Sequence, residues 1–330
     1  MNSLAVLGAG SWGTALAMAL ASRFHTVQLW SRNSEHAAEM LAARENRRYL
    51  PGFRLPENVR VFSDLAPALG STHIVLTAIP SAHLRRVVIA ARPHLPAAAP
   101  IVSATKGIEE GTLFRMSELI AHATAGGVPI AVLSGPTFAK EIAAGEPAAV
   151  VVASGDITLA EEIQRSFSTP SLRLYASTDV VGVELGAALK NVIAIGAGIC
   201  RGLGLGSNSV AALVTRGLAE ITRLALALGA QPRTLAGLAG LGDLVLTATG
   251  DLSRNRFVGM QLGQGRALQQ ILSQMTMVAE GVGTCRAAHQ LGREKEVDLP
   301  IINEMYEVLY ESKDPRQAIR ELMERPLTSE

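Results

Sequence analysis

The stretch SLAVLGAGSWGTALAMALASR, Ser3–Arg23, decides the fold. It opens as a short apolar strand and passes through Gly8, Gly10 and Gly13 at G-x-G-x-x-G spacing. It then runs on as a helix-forming segment with apolar residues at helical intervals. The glycine pattern alone is weak; a strand before it and a helix after it supply the context it needs. Each glycine has its own reason. Gly8 allows the tight turn, Gly10 lets backbone N–H groups approach a pyrophosphate, and Gly13 allows helix and strand to pack closely. The helix N-terminus adds the positive end of a dipole. The plain alternative is a small-residue turn with no ligand.

From this unit outward, the first half of the chain alternates apolar strands with helical patterns. Strands are expected at Ser3–Leu7, Thr26–Trp30, Val59–Phe62, His73–Ile79, Ile101–Ala104, Ile130–Leu133, Ala148–Ala153 and Leu172–Tyr175. Helical segments such as Gly13–Arg23 and Ser34–Arg44 lie between them. This alternation indicates βαβ units and a doubly wound, mainly parallel sheet, an α/β Rossmann-type domain. After Leu172–Tyr175 the pattern turns all-α. Helices are expected at Val183–Ile199, Val210–Leu228, Pro232–Leu238, Phe257–Leu262, Ala267–Met275, Gly283–Leu291 and Pro300–Tyr310. A boundary near Ser177 divides a dinucleotide-binding domain, 1–177, from a helical substrate domain, 178–330.

Bulk composition fits that picture and narrows the partners. With 48% hydrophobic and 18% charged residues, the 330-residue chain has enough apolar content for two cores. A net charge of +1 gives no global electrostatic case for nucleic acid or a membrane surface. The N-terminus lacks the basic start of a signal peptide, and the run around Lys190 is too short for a membrane span of roughly 20 residues. Cys200 and Cys285 are the only cysteines, far apart and without metal or redox spacing, so a reducing cytoplasm is expected. No histidine pair has ligand spacing, and no metal site is expected.

Several residues stand out against this background. Strict NAD enzymes end the second strand in an acid, but here Thr26–Trp30 is followed by Ser31, Arg32 and Asn33. Arg32 is suited to a 2′-phosphate, which favours NADPH, or else is a solvated surface arginine. Lys106 lies just past the strand Ile101–Ala104, where ligands of open α/β sheets bind; a loop lysine in water is the alternative. In SGPTFAKE, Ser134–Glu141, Gly135 and Pro136 force a turn and Thr137 is placed to cap the next helix. Asp243 either caps a helix or anchors a functional lysine. In Ser253–Arg256, SRNR, two arginines with hydroxyl and amide donors make an anion site or a polar loop.

Lys190 is the sharpest anomaly. It sits inside VELGAALKNVIAIGAGI, Val183–Ile199, and its helical neighbours Gly186, Ala187, Ile193 and Ala194 cannot pair with an ammonium. It is either a snorkelling lysine or one that a ligand completes. If catalytic, its small apolar surroundings offer room for a substrate and disfavour its charged form.

The motifs GAGSWGTALA (8–17), SATKGIE (103–109), SGPTFAKEIA (134–143), LKNVIAIGAG (189–198), GLGDLVLT (240–247), SRNR (253–256) and VAEG (278–281) resemble the bacterial NAD(P)-dependent glycerol-3-phosphate dehydrogenase family. The resemblance spans residues 3 to 310 in order. It implies a dehydrogenase interconverting dihydroxyacetone phosphate and sn-glycerol 3-phosphate with NADPH or NADH, for glycerophospholipid synthesis, and a homodimer. It further implies Lys190 as proton donor/acceptor and Lys106 as a contact of cofactor and substrate. Gly135, Thr137, Asp243, Ser253, Arg254 and Asn255 are implied as substrate contacts. Ser11, Trp12, Arg32, Ala139, Arg254, Val278 and Glu280 are implied as cofactor contacts. Other reductases with a lysine, of the hydroxyacid or ketopantoate type, are the rival within the fold, and a non-catalytic dinucleotide sensor is the rival outside it.

Overall fold

The strand before the glycine loop lies in the middle of a large sheet. In the computed structural model, which describes residues 3–327, the strands are β1 (Ser3–Leu7), β2 (Thr26–Trp30), β3 (Glu45–Asn46), β4 (Leu50–Arg54), β5 (Val59–Phe62), β6 (Ile74–Thr77), β7 (Ile101–Ser103), β8 (Ile130–Ser134), β9 (Ala148–Ala153) and β10 (Leu172–Ser177). Eight of them form one sheet in the order β5-β2-β1-β6-β7-β8-β9-β10. Neighbours run parallel except β8 and β9. The helices of this unit are α1 (Ser11–Leu20), α2 (Ser34–Ala43), α3 (Leu65–Leu69), α4 (Ser81–Ala91), α5 (Met116–Thr124), α6 (Ala139–Ala144) and α7 (Ile157–Phe167).

Alternate residues of β1 point to opposite faces, and both faces are covered. Leu4 and Val6 join one apolar cluster with Leu16, Leu20 and Leu29, while Ala5 and Leu7 join another with Val75, Leu84 and Leu119. The chain leaves β1 toward β2 and β5 on one side, then crosses back to β6 on the other. The carboxyl ends of β1 and β6 therefore form the switch point at which an open α/β sheet binds its ligand. Two strands of this unit were not expected: β3 and β4 pair antiparallel as a small separate hairpin. A two-residue strand, an irregular register and Pro51 leave no alternating pattern to read.

The second unit is all-α. Its helices are α8 (Val180–Gly202), α9 (Ser207–Ala227), α10 (Pro232–Leu235), α11 (Asp243–Thr249), α12 (Arg254–Gly263), α13 (Leu268–Ser273), α14 (Glu280–Glu294), α15 (Pro300–Tyr310) and α16 (Pro315–Glu324). A π-helical turn, Leu238–Gly242, runs directly into α11. The two compact units divide inside α8, between Glu184 and Leu185, and the helical unit also takes in Gly107–Leu113. The helix α16 lies outside the expected set. It begins at Pro315 with the Asp314 carboxylate accepting from the Arg316 and Gln317 N–H groups, a strong start for a polar sequence.

Helix α8 is longer than the sequence run implied. By length and composition it would suffice to cross a membrane, but 89% of its most apolar window is buried inside the protein, so it is a core helix. Gly198 and Gly202, in its second half, serve close backbone contact. A Cβ at Gly198 would fall 2.0 Å from the Arg256 carbonyl oxygen, and one at Gly259 would fall 1.8 Å from that of Ile195. A Cβ at Gly202 would fall 2.2 Å from the Met260 carbonyl oxygen, and one at Gly263 2.6 Å from that of Ile199, between the same two helices. The glycines of α8 and α12 thus let two backbones touch, and the space is filled by main chain.

Glu220, on α9 and only 2% exposed, holds the start of α15: its carboxylate accepts from the Ile301 N–H at 2.7 Å and the Ile302 N–H at 3.1 Å. Burial pushes its carboxyl up to about 7, against the pull of those two N–H groups. The folded state therefore binds the proton more tightly than the unfolded chain does. The resulting stability is fully present below about pH 4.5 and is lost as pH rises to about 7. Denaturant titrations across this window should show wild type losing up to about 3 kcal/mol relative to Glu220→Gln. Parallel pH profiles for the two proteins would refute the assignment.

Candidate functional site

In the nucleotide unit the glycine loop folds as its chemistry requires. Gly8 takes a φ of +119°, and a Cβ there would lie 2.6 Å from the Ala78 carbonyl oxygen, just past β6. A Cβ on Gly13 would lie 1.9 Å from the Gly8 carbonyl oxygen. Gly10 is the N-cap of α1, and a Cβ there would meet nothing within 4 Å. No side chain caps α1 and no acid occupies its first turn, so its free N–H groups face an open cradle that suits a pyrophosphate. Ser11 opens α1, and the Trp12 indole donates to the Ala104 carbonyl at 3.2 Å, tying the loop to the end of β7. Arg32 stands exposed directly after β2.

Two further candidates meet at one carbonyl. The half-buried Lys106 Nζ donates to the Gly135 oxygen at 3.3 Å, and the Thr137 hydroxyl donates to the same oxygen at 3.1 Å. Thr137 is therefore not the helix cap expected of it: α6 begins two residues later, at Ala139, with Phe138 in the N-cap position. Gly135 itself has a φ of +152°, and a Cβ would lie 2.9 Å from the Val150 Cα. The turn after β8 thus needs glycine for its backbone alone.

In the helical unit Lys190 is 5% exposed and Asp243 fully buried. The ammonium donates to the Asp243 carboxylate and, at 2.6 Å, to the Thr247 hydroxyl. Its partners come from α11 because its own helix has none. Gly186, one turn earlier on α8, makes that possible: a Cβ there would sit 2.6 Å from the Ala239 carbonyl oxygen of the π-helical turn. The close approach brings Asp243 and Thr247, one turn apart on α11, onto the lysine. Burial disfavours the ammonium charge while the carboxylate favours it, so the pair is held together by mutual need.

The start of α12 forms the other cluster. Ser253 caps the helix by accepting from the Arg256 N–H at 3.2 Å. The Asn255 amide donates to the Asn191 side-chain oxygen and accepts from the Gly281 N–H, both at 2.9 Å. Burial lowers the Arg254 guanidinium from its ordinary value, and the charge of Glu280 partly offsets this. A desolvated guanidinium at a helix N-terminus is a strong attractor for an anion. Arg256, read with Arg254 as an anion donor, is instead occupied: it donates to the Gly250 carbonyl and pairs with Asp251. Val278 is 46% exposed, just before α14, which starts at Glu280.

Thr247 and Asn191 are the residues that sequence reasoning missed. Asn191 follows the lysine directly and Thr247 lies four residues past Asp243 on α11, a spacing that one helical turn would have flagged. Among the described residues no group of three His, Cys, Asp or Glu side chains is placed to hold a metal ion.

A glycine loop at the switch point of a parallel sheet and a buried lysine paired to a carboxylate mark an NAD(P)-dependent oxidoreductase. Known proteins bear this out. Residues 3–160 and 179–320 match the models of the N-terminus and C-terminus of NAD-dependent glycerol-3-phosphate dehydrogenase. The chain is 53% identical to a glycerol-3-phosphate dehydrogenase [NAD(P)+] of Geobacter sp. strain M21, covering 100% of this chain and 99% of that protein. It also resembles the crystal structure of glycerol-3-phosphate dehydrogenase from Coxiella burnetii, with a TM-score of 0.94, 40% identity, and 98% and 99% of the two chains covered. The yeast Saccharomyces cerevisiae enzyme matches at a TM-score of 0.84 and 26% identity, with 98% and 99% covered. The chain belongs to the NAD-dependent glycerol-3-phosphate dehydrogenase family.

The two loop glycines should separate on substitution. Gly13→Ala should cost at least about 2 kcal/mol, since its Cβ strikes main chain. Gly10→Ala should leave the melting temperature within about 2 °C yet weaken NADPH binding about tenfold or more, seen by quenching of NADPH fluorescence. Equal behaviour of the two variants in both assays would contradict the cradle.

Proposed function

We propose that this chain reduces dihydroxyacetone phosphate to sn-glycerol 3-phosphate, reversibly, with Lys190 as the acid that protonates the new alkoxide. The single observation that carries the assignment is the buried ammonium held between Asp243 and Thr247. No structural need puts a charge in the middle of an apolar core helix, and a carbonyl oxygen that gains negative charge gives it a task.

When bound, the reduced nicotinamide supplies the hydride that reaches the substrate's C2. The chain's own residues handle charge and position. Lys190 Nζ donates a hydrogen bond to the C2 oxygen, stabilises the charge that develops there, and passes its proton to that oxygen as the alcohol forms. Asp243 holds the ammonium charged and aimed, and Thr247 fixes its third direction. Arg254 and Asn255, with Ser253, take the phosphate and use remote binding energy to place C2. In the reverse direction the neutral amine accepts the alcohol proton. Lys106, Gly135 and Thr137 form a contact for substrate, Lys106 also for cofactor. The contacts for NADPH, the favoured coenzyme over NADH, are Gly8, Gly10, Ser11, Trp12, Gly13, Arg32, Ala139, Arg254, Val278 and Glu280.

The same reading extends to setting. The product feeds glycerophospholipid synthesis in a reducing cytoplasm, consistent with Cys200 and Cys285 both being buried free thiols. The assembly is a homodimer; exposed apolar side chains in the helical unit, Leu241, Val245, Leu252 and Phe257, supply surface for it. The functional division of the chain falls near Ser177, with the glycine loop and Arg32 before it and the acid/base and phosphate residues after it, joined there by the cofactor contacts Arg254, Val278 and Glu280.

Lys190→Ala should cut kcat by about a thousandfold or more while NADPH still binds with near-normal affinity. Turnover within about tenfold of wild type would remove Lys190 from the mechanism. Arg254→Ala should raise KM for dihydroxyacetone phosphate about a hundredfold, and Arg256→Ala should lower the melting temperature with KM little changed. NADPH consumption with dihydroxyacetone phosphate but not with 2-ketoacids tests the substrate; preference for a ketoacid would overturn it.

A further inference from the structure

A buried polar relay runs beneath the cofactor loop, and the reaction as described does not use it. Its members are Ser31 at the end of β2, His36 in the first turn of α2, Asn46 in β3 and Thr14 in α1, none more than 4% exposed. The Asn46 amide nitrogen donates to the Ala9 carbonyl at 2.9 Å and the Thr14 hydroxyl at 2.8 Å. Its amide oxygen accepts from the Tyr49 N–H at 3.1 Å and faces the His36 Nε2 at 3.0 Å. The orientation of that amide is fixed twice over. The Ala9 carbonyl can only accept and the Tyr49 N–H can only donate. His36 therefore carries a proton on Nε2 and gives it to Asn46. On its other side, His36 Nδ1 lies 3.2 Å from the Ser31 hydroxyl, which is also 3.2 Å from the Asn33 carbonyl. Asn33 in turn caps α2 by accepting from the His36 N–H at 2.7 Å.

One end of this chain of hydrogen bonds holds Ala9, between Gly8 and Gly10 of the phosphate loop. The other end holds Ser31 and Asn33, the residues on either side of Arg32. Apolar side chains would pack the same space without polar atoms to satisfy, so four buried polar groups here serve something besides burial. A bound NADPH is gripped at both ends of the relay, by its pyrophosphate and by its 2′-phosphate.

We propose that His36 and Asn46 are positioning residues that set the turn bearing Arg32 at a fixed separation from the phosphate loop, and through it the preference for NADPH over NADH. The inference rests on the reading of Arg32 as the 2′-phosphate contact. NADH lacks that phosphate and gains little from the position of Arg32. Loosening the relay should therefore harm one coenzyme more than the other, whereas damage to the fold would harm both alike.

The test is steady-state kinetics with each coenzyme on the full-length enzyme. His36→Phe keeps the ring against Tyr49, which it meets edge-on at 5.1 Å, and removes both ring hydrogen bonds. Ser31→Ala cuts only the link to the Arg32 turn and serves if the first variant folds poorly. In each, kcat/KM with NADPH should fall about tenfold through KM, kcat should stay within about twofold, and the value with NADH should change less than about threefold. His36→Gln, which retains a donor toward Asn46, should recover part of the loss. Arg32→Ala is the control. If Arg32→Ala lowers the NADPH/NADH ratio but both relay variants leave it within twofold of wild type, the relay has no part in selectivity. If Arg32→Ala leaves the ratio unchanged, the Arg32 reading fails and the proposal falls with it.

Discussion

The Lys190–Asp243 pair is the constraint around which the helical unit is arranged. Removing either partner would strand a buried charge, at a cost of several kcal/mol, so the two must be brought together without water. That demand explains the backbone geometry nearby. Gly186 lets the π-helical turn lie on α8 one turn before the lysine, and the α8–α12 glycines bring the other side of the core into contact. Asn255 then bonds to Asn191, the residue after the lysine, linking the start of α12 to the helix that carries Lys190. The buried lysine and the start of α12 are parts of one tightly packed assembly of main chain.

The nucleotide unit answers a different constraint. A pyrophosphate must come within hydrogen-bond distance of bare N–H groups, so the loop cannot carry side chains that fill its cradle. Gly8 and Gly13 are required by the protein's own backbone, which leaves Gly10 as the position open toward a ligand. Below the loop, Asn46 and His36 tie it to the end of β2, so its stiffness comes from a polar network as well as from the apolar layers. The loop is thus shaped from above by what it must admit and from below by what holds it.

The fold was legible because periodicity and glycine spacing are local signals. The βαβ alternation and the change to an all-helical second half are both found in the structure, as are most element boundaries to within a few residues. The site was legible only in part. Lys190 announced itself because an unpaired ammonium in an apolar run is a conflict that sequence alone exposes. Thr247 did not, and Asp243 stood open between a helix cap and a lysine anchor, since both become its neighbours only through a close backbone approach at Gly186, which no pattern of side chains encodes. The two arginines of Ser253–Arg256 look alike in sequence. They differ because one helical turn puts Arg256 beside Gly250 and Asp251 and leaves Arg254 half-buried and within the charge influence of Glu280. The β3–β4 hairpin escaped notice because it is too short to have a period, yet it carries Asn46.

The π-helical turn at Leu238–Gly242 has a consequence for how this segment can vary in length. Ala239 rests on Gly186 and Asp243 on Lys190, so both ends of the turn are pinned to the same helix one turn apart. Loss of a single residue between these pins would advance the downstream helix by about 100° and present another side chain to the ammonium. Segments of this kind tolerate exchange of residues but not changes in their number. The spacing from Gly186 to Lys190 and from Ala239 to Asp243 behaves as one shared ruler, and insertions or deletions can accumulate only outside it.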